Sequence, residues 1–257
     1  LARSHTPEDA RRQAQRWGAA FSEGYQAATE PEDAVADIEA IEAMEAAGRT
    51  VDLRLSHAEP AGGERITRLT VYMRGTRLVL SDVMPGLENA GLRVLSMSPF
   101  EATVDGGATF IYVFAVQDAA RQPIDLDARG VVLADLLLAV GAGETTNDGL
   151  NSLVLHAGLA WREVDVLRAY CEYAFQLKLA PARVALSGAL RKHPHAARLL
   201  VTMFIQKFDP HTSTDPAARE ERLDALCAEF MAALENVTSL AEDRALRHLL
   251  ALLRATV

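Results

Sequence analysis

Residues 143–170 read GETTNDGLNSLVLHAGLAWREVDVLRAY. This stretch joins a glycine-rich turn to an Asn-Asp-Gly loop and then to a long apolar segment with helical spacing. Upstream of it, segments that alternate with a period of two are mixed with segments of helical period. Downstream of it, only the helical period remains. The stretch therefore predicts the boundary between an α/β part and an all-helical part.

Two helices are predicted at the start of the chain. Thr6 is the cap of the first helix and Pro7 occupies its first helical position. We expect this helix to reach residue 28. Trp17, Phe21 and Tyr25 recur every four residues, which predicts one buried stripe.

The second helix is predicted over residues 29–47, with Ile38, Ile41 and Met44 facing inward. The same segment is rich in carboxylates but lacks the glycine turn and the ligand spacing of a calcium site. We expect these carboxylates on a solvated face: Glu30, Glu32, Asp33, Asp37, Glu39, Glu42 and Glu45.

A small sheet is predicted next. The segment 108–116, ATFIYVFAV, is apolar on both faces, which is typical of a central strand. Asp105-Gly106-Gly107 before it predicts a hairpin turn. A helix is expected from Ser81 to Asn89. Strands with one helix between them and then a hairpin form the front part of a split βαβ sandwich, whose second helix we expect over residues 125–140. The other strands are expected over residues 51–55, 66–74 and 92–97, the last extended by 100–104.

The all-helical part is predicted to end in an amphipathic helix that opens with a capping box at Ser239. Leu246, Leu249, Leu250 and Leu253 line one face of this helix, and no segment of the chain is an obvious cover for them. The earlier helices of this part are expected over residues 148–159, 161–179, 181–190, 194–208 and 215–236.

Composition excludes several classes of protein. The chain has 257 residues, 49% of them hydrophobic, and a net charge of −9, so it is expected to fold and not to bind nucleic acid as its main partner. No apolar run approaches the roughly 20 residues that span a bilayer, and no signal peptide is evident. Cys171 and Cys227 are expected to be buried free thiols, in a cytoplasmic protein. The first residue, Leu1, suggests an excised segment.

No catalytic, cofactor-binding or metal-binding residue is assigned from motifs. Gly141-Ala142-Gly143 follows a helix and lacks the third glycine of a dinucleotide site. A phosphate loop, a nucleophile elbow and an H-E-x-x-H helix are all absent from the sequence. His193-Pro194-His195 lacks the further ligands that a metal site needs.

The polar loop Asn147-Asp148-Gly149 has two interpretations. Asn147 or Asp148 caps the next helix, or the loop contacts a neighbouring domain or a small ligand. Trp161 and Arg162 begin the following helix, with the tryptophan as its anchor.

Several stretches, in this order and spacing, resemble the large-type bacterial NAD-dependent glutamate dehydrogenases. They are FSEGY at 21–25 with AVADI at 34–38, LSDVMPGLENAGLRV at 80–94, and NDGLN at 147–151 through LAWRE at 159–163 to LRAY at 167–170. The resemblance implies a large cytoplasmic, homo-oligomeric polypeptide that converts L-glutamate and NAD to 2-oxoglutarate, ammonium and NADH. It also implies ACT-like modules, a helical region and then the catalytic core.

The resemblance places this chain in the part before that core. Amino-acid dehydrogenation needs a lysine of lowered pKa, and the chain has only Lys178, Lys192 and Lys207, none in a glycine-rich pocket sequence. No catalytic residue is therefore carried over, NAD belongs to the parent enzyme, and the chain alone is expected to be inactive.

The fold class expected is α+β, in three parts. Residues 1–49 form an N-terminal helical pair, residues 50–142 an ACT-like split βαβ module, and residues 143–257 an all-helical module. The sequence departs from the ACT pattern in an insertion at residues 56–64 and in lacking a clear last strand.

Two functions remain open. The first is a regulatory and scaffolding segment, in which Arg74, Gly75 and Thr76 before the ACT-like helix and Asn89 and Gly91 after it contact an amino-acid effector. In this interpretation the hinge between modules is formed by Asn147, Asp148, Gly149, Trp161 and Arg162. The second is a purely structural oligomerisation module without a ligand, whose partners are the rest of the polypeptide and its other copies.

Overall fold

A computed structural model of the chain describes residues 11, 15–58, 65–179, 182–212 and 215–257. It divides into two compact units. The first unit comprises Leu1–Pro85 and Leu92–Leu126, and the second comprises Gly86–Gly91 and Asp127–Val257. In the described part of the chain, no helix is long and apolar enough to cross a membrane.

The first unit begins with helical residues that do not form the single long helix expected. Residues 15–17 are helical, 18–20 form a turn, and α1 spans Glu23–Ala28. The prediction of one helix reaching residue 28 is therefore wrong, and its start at Thr6 and Pro7 lies outside the described residues. Two contacts with a strand explain the break, since Phe21 forms a β-bridge with Ala102 and the N–H of Thr103 donates to Ala20 O at 2.9 Å.

The aromatic stripe nevertheless packs as expected. Trp17 and Tyr25 are buried, Phe21 is partly buried, and the Phe21 ring stacks between the other two. Ser22 restarts the helix because its side chain accepts a hydrogen bond from the Tyr25 N–H. The second helix, α2, spans Pro31–Ala46 and buries Ile41 and Met44.

A four-stranded antiparallel sheet follows, with the strand order β1-β2-β4-β3. The strands are β1 (Val51–Ala58), β2 (Ile66–Arg74), β3 (Arg93–Val104) and β4 (Gly107–Gln117). The central position predicted for β4 is confirmed. In the turn between β3 and β4, Asp105 and Gly106 both have positive φ, at 50° and 78°, as a type I′ hairpin requires.

The edge position beside β2 belongs to β1, which precedes the module's first helix. In a split βαβ sandwich this position goes to the strand after the second helix. β1 thus takes the place of the last strand of the split βαβ pattern. The order of the strands across the sheet is kept, but the strand beside β2 comes earlier in the sequence than in that pattern. Residues 59–64 of the expected insertion lie outside the described residues.

Two helices accompany the sheet strands in sequence. The helix α3 spans Leu80–Asn89 and ends before Gly91, whose φ of 88° suits glycine, and α4 spans Leu126–Gly141. The α+β class, with N-terminal helices, an ACT-like sheet and a C-terminal helical region, is therefore observed.

In the described residues after α4, the regular structure of the second unit is all helical. The predicted helix over 148–159 is instead a 3₁₀ turn, Gly149–Ser152, followed by a short helix that ends at Gly158. The helices are α5 (Leu153–Ala157), α6 (Trp161–Gln176), α7 (Arg183–Lys192), α8 (Pro194–Phe208), α9 (Pro216–Leu234) and α10 (Leu240–Ala255).

The leucine face of α10 is covered by the chain itself. Leu246, Leu249 and Leu253 are at most 3% exposed, and α10 packs against α6, α7 and α8. Lys207 on α8 also donates to the carbonyl oxygens of Leu253 and Arg254 at the end of α10. The expectation that this face lacks a cover within the chain is therefore wrong.

Gly158→Ala is expected to destabilise the second unit by about 2 kcal/mol. Gly158 has a φ of 68°, and an added Cβ would lie 2.4 Å from Arg129 Nη1. Arg129 would have to move, and its Nε hydrogen bond to Leu155 O would be lost. Chemical denaturation followed by circular dichroism measures the change. The control is Gly188→Ala, because Gly188 lies inside α7 with no atom within 4 Å of its added Cβ. We expect this control to be neutral or slightly stabilising, and equal stabilities of the two variants would contradict the prediction.

Candidate functional site

Arg168, on α6, binds the loop that the sequence marks as the boundary. Its Nε and Nη2 donate to the two carboxylate oxygens of Asp148 at 2.8 and 3.0 Å, which is a forked pair. Nη2 also donates to Asn151 Oδ1 at 2.9 Å, and Nη1 pairs with Asp165. Since the Arg168 side chain is only 14% exposed, these contacts fix the loop to the helix.

Asp148 is the residue that caps the 3₁₀ turn. Its Oδ1 accepts a hydrogen bond from the Leu150 N–H at 2.9 Å. This confirms the capping interpretation of the Asn147-Asp148-Gly149 loop and assigns the cap to Asp148. Asn147 instead accepts from Asn89 Nδ2 at 2.9 Å, and Gly149 lies against Arg191, which leaves no room for a Cβ.

A surface depression of about 410 Å³ lies beside Arg168. Its charged lining is mostly acidic, but Arg168 itself is already paired with carboxylates. Within the described ranges, no group of three or more His, Cys, Asp or Glu side chains is placed to hold a metal ion. The lining residues are Gly143, Glu144, Thr145, Thr146, Asp165, Arg168, Ala169 and Glu172.

Trp161 and Arg162 begin α6, as expected. The Arg162 guanidinium lies 4.0 Å from the centre of the Trp161 ring, in a cation–π contact. Glu163 in the same turn accepts from the Ala160 N–H at 2.7 Å. These residues therefore fix the start of the helix.

The residues expected to contact an effector belong to different units. Arg74 is the last residue of β2 in the first unit, and Gly75 and Thr76 follow it. Arg74 pairs with Glu45 at 3.2 Å, and Gly75 donates its N–H to Ala108 O. Asn89 and Gly91 belong to the second unit, where Asn89 binds Asn147 and Gly91 lies close to Ser152.

A buried polar network in the first unit was missed from the sequence. It is centred on Asp37 of α2, which is 2% exposed although the sequence places it on a solvated face. Asp37 Oδ1 accepts from Tyr72 Oη at 2.6 Å and from Arg54 Nη2 at 2.7 Å, and Oδ2 accepts from Tyr25 Oη at 2.7 Å. We call Asp37, Tyr25, Arg54 and Tyr72 the Asp37 network.

The rest of the acidic face is also engaged more than expected. Asp33 pairs with Arg54 and Arg68, and Glu42 and Glu45 both pair with Arg16. The prediction of a solvated face is thus wrong for Asp37. It also missed the ion pairs that Asp33, Glu42 and Glu45 form. Helical spacing gave a usable signal, because Asp37 lies four residues before Ile41 and seven before Met44, on the inward face.

The tyrosines of the network predict a loss of stability at high pH. Burial, and then the hydrogen bond and charge of Asp37, raise the pKa of Tyr25 far above its usual value, and burial and Asp37 do the same for the pKa of Tyr72. The folded state therefore keeps protons that the unfolded state releases. The first unit's unfolding free energy should fall above about pH 10, by up to ~1.4 kcal/mol per pH unit for each tyrosine.

Denaturation at several pH values measures this slope. Tyr25→Phe and Tyr72→Phe should each flatten it, whereas Tyr173→Phe, at an exposed position of α6, should leave it unchanged. An equal slope in all three variants would show that the network does not cause it.

Both cysteines are free, as expected. Cys171 is buried, and burial raises its thiol pKa to about 12, with a smaller contribution from Glu172. Cys227 is only half-buried, so the expectation of burial holds for Cys171 alone.

Three family models match: glutamate dehydrogenase helical motif 2 over residues 1–44, the glutamate dehydrogenase ACT3 domain over 50–129, and glutamate dehydrogenase helical motif 3 over 145–210. The NAD-specific glutamate dehydrogenase of Pseudomonas aeruginosa is 34% identical over 239 residues, which are 92% of this chain and 15% of that protein. The protein of the same name from Mycobacterium tuberculosis is 32% identical over 250 residues, which are 95% of this chain and 15% of that protein.

The chain belongs to the NAD-specific glutamate dehydrogenases. It spans about 15% of the length of these relatives, so it is one region of such a polypeptide. The matched models describe two helical motifs and an ACT domain, and the catalytic core of the glutamate dehydrogenase lies outside this chain. The resemblance seen in the sequence is thereby confirmed.

Proposed function

We propose that this chain is a regulatory and scaffolding segment of an NAD-specific glutamate dehydrogenase that converts L-glutamate and NAD to 2-oxoglutarate, ammonium and NADH. The observation that carries the proposal is the order helical motif, ACT domain, helical motif along one chain. The parent enzyme would be cytoplasmic and homo-oligomeric and would bind NAD in its core. Glutamate-dependent NADH formation by this chain alone would contradict the proposal.

The effector part of the proposal rests on the turn after β2. The Arg74 side chain is 45% exposed, and its guanidinium pairs with Glu45 at 3.2 Å. An amino acid would bring a carboxylate that competes with Glu45 for Arg74. Gly75, which has no side chain, and the exposed Thr76 follow Arg74 in this turn.

Calorimetric titration with glutamate, aspartate and other amino acids tests this part. Arg74→Ala should abolish binding, and Glu45→Gln should strengthen it by removing the competing carboxylate. Arg77→Ala is the control, since the exposed Arg77 pairs with Glu101 instead. Absence of heat across the panel would remove the effector role and leave scaffolding only.

The scaffolding part assigns the loop Asn147-Asp148-Gly149, together with Trp161 and Arg162, to the joint between modules. The proposed module limits along the sequence are 1–49, 50–142 and 143–257. Its support is the Arg168–Asp148 pair, which orders this loop. The purely structural alternative, a self-associating helical module, has lost the uncovered leucine face that favoured it. Light scattering that shows stable oligomers of the chain would restore it.

A further inference from the structure

The helical segment at residues 15–46 lies on one face of the first unit's sheet. Trp17, Tyr25, Ile41 and Met44 from this segment form one core with sheet residues. Tyr72, Ile111 and Ala102 contribute from three neighbouring strands, and each has no exposed surface. The matched family models place the helical segment and the sheet in two separate modules, one ending at residue 44 and the other starting at residue 50.

Asp37 joins three structural elements at the centre of this contact. Its hydrogen-bond donors come from α1 (Tyr25), β1 (Arg54) and β2 (Tyr72). A second carboxylate on the same helix, Asp33, continues the network outward to Arg68 on β2. At the opposite edge of the sheet, Phe21 pairs with Ala102 on β3.

Neither the helical segment nor the sheet is complete without the other. The helix α1 has 6 residues and α2 has 16, and helices of these lengths are marginal in water without packing partners. Without the helices, the sheet would expose Tyr72, Ile111 and Ala102 and would leave Arg54 without the carboxylate that it binds. Removing the sheet would equally leave Asp37 without its arginine.

We infer that the helical segment 15–46 and the four-stranded sheet form a single cooperative unit, and that Asp37 is the residue that couples them. Helical motif 2 is in this sense the second layer of the ACT-like module. Any ligand or subunit contact that favours one position of the helical segment then changes the stability of the sheet by the same free energy. This inference rests on the packing of the first unit and not on the proposed effector role.

Native-state hydrogen exchange of the whole chain tests the coupling. In low denaturant, amides of α2, β2 and β4 should open together with one free energy and one denaturant dependence. Asp37→Asn should accelerate exchange in all three elements by a similar factor, about a hundredfold or more. Amides of α8 and α10 in the second unit serve as the internal reference and should not change.

The control variant is Glu39→Gln, two residues away on the same helix at an exposed position. If the Asp37→Asn chain does not fold, Tyr72→Phe removes one donor and leaves the Asp37–Arg54 pair, and it should accelerate the same amides together by a smaller factor. Opening of α2 while β2 and β4 keep their protection would overturn the coupling. An Asp37→Asn chain that exchanges like the Glu39→Gln chain would overturn the role of Asp37.

Discussion

Replacing Asp37 by alanine should lower the unfolding free energy of the first unit by about 3–5 kcal/mol. The Asp37 carboxylate is 2% exposed and accepts three hydrogen bonds, one of them from Arg54. Alanine would leave two tyrosine hydroxyls without their acceptor in the core and would leave Arg54 with only its longer pair to Asp33, at 3.5 Å. Leaving these donors in the core without their close acceptor costs more than the net contribution of the original hydrogen bonds.

Tryptophan fluorescence measures this loss because each unit contains one tryptophan. Trp17 lies in the first unit and Trp161 in the second. In a Trp161→Phe background, fluorescence during denaturation follows the first unit alone. The control is Glu39→Ala in the same background, because Glu39 is exposed on α2 and should change the stability by less than about 0.5 kcal/mol.

A paired substitution separates the charge from the packing. Asp37→Leu combined with Arg54→Met leaves no buried ion, so it should be more stable than Asp37→Ala despite changing one residue more. If the unfolding free energies of Asp37→Ala and Glu39→Ala differ by less than about 1 kcal/mol, the Asp37 network does not stabilise the first unit.

The sequence predicted the sheet well because its strands carry strong local signals. The strand at residues 66–74 was predicted with the observed limits, Ile66–Arg74. The apolar character of ATFIYVFAV on both faces correctly identified β4 as central. The edge position of β1 was not predictable in this way, because alternation indicates a strand but not its neighbour.

Helix breaks were missed where tertiary pairing overrides local preference. The spacing of Trp17, Phe21 and Tyr25 fits a continuous helix, yet Phe21 pairs with β3 and Ser22 starts a new helix. The leucine face of α10 was misjudged for a related reason. Its cover comes from α6, α7 and α8, and periodicity does not show which helices will face each other.

The candidate sites were predictable only where they depend on neighbours in sequence. The cap at Asp148 is a local interaction with Leu150, and the sequence proposed it. Arg168 follows Asp148 by 20 residues, and their pairing depends on how α6 returns to the loop. Asp37 was assigned to solvent by its charge, although its spacing from Ile41 and Met44 pointed inward.

Arg168→Ala is expected to destabilise the second unit by about 2–3 kcal/mol. Burial by itself lowers the pKa of Arg168, but hydrogen bonding and charge from Asp148 and the charge of Asp165 outweigh it, so the pKa is raised and the side chain stays charged. Alanine would leave both carboxylates without this partner and Asn151 Oδ1 without its donor. The loop at residues 145–151 should then lose order before the helices do, which hydrogen exchange of the Leu150 and Asn151 amides measures.

Arg162→Ala is the matched control. Arg162 lies on the same helix as Arg168 but is exposed, and its guanidinium contacts the Trp161 ring. This control should cost at most about 1 kcal/mol. Arg168→Lys keeps the charge but not the forked geometry with Asp148, so its stability should fall between those of the wild type and Arg168→Ala. A double-mutant cycle with Asp148→Asn isolates the pair, and an interaction energy near zero would mean that burial of the Arg168 side chain, and not its pairing with Asp148, holds the loop on α6.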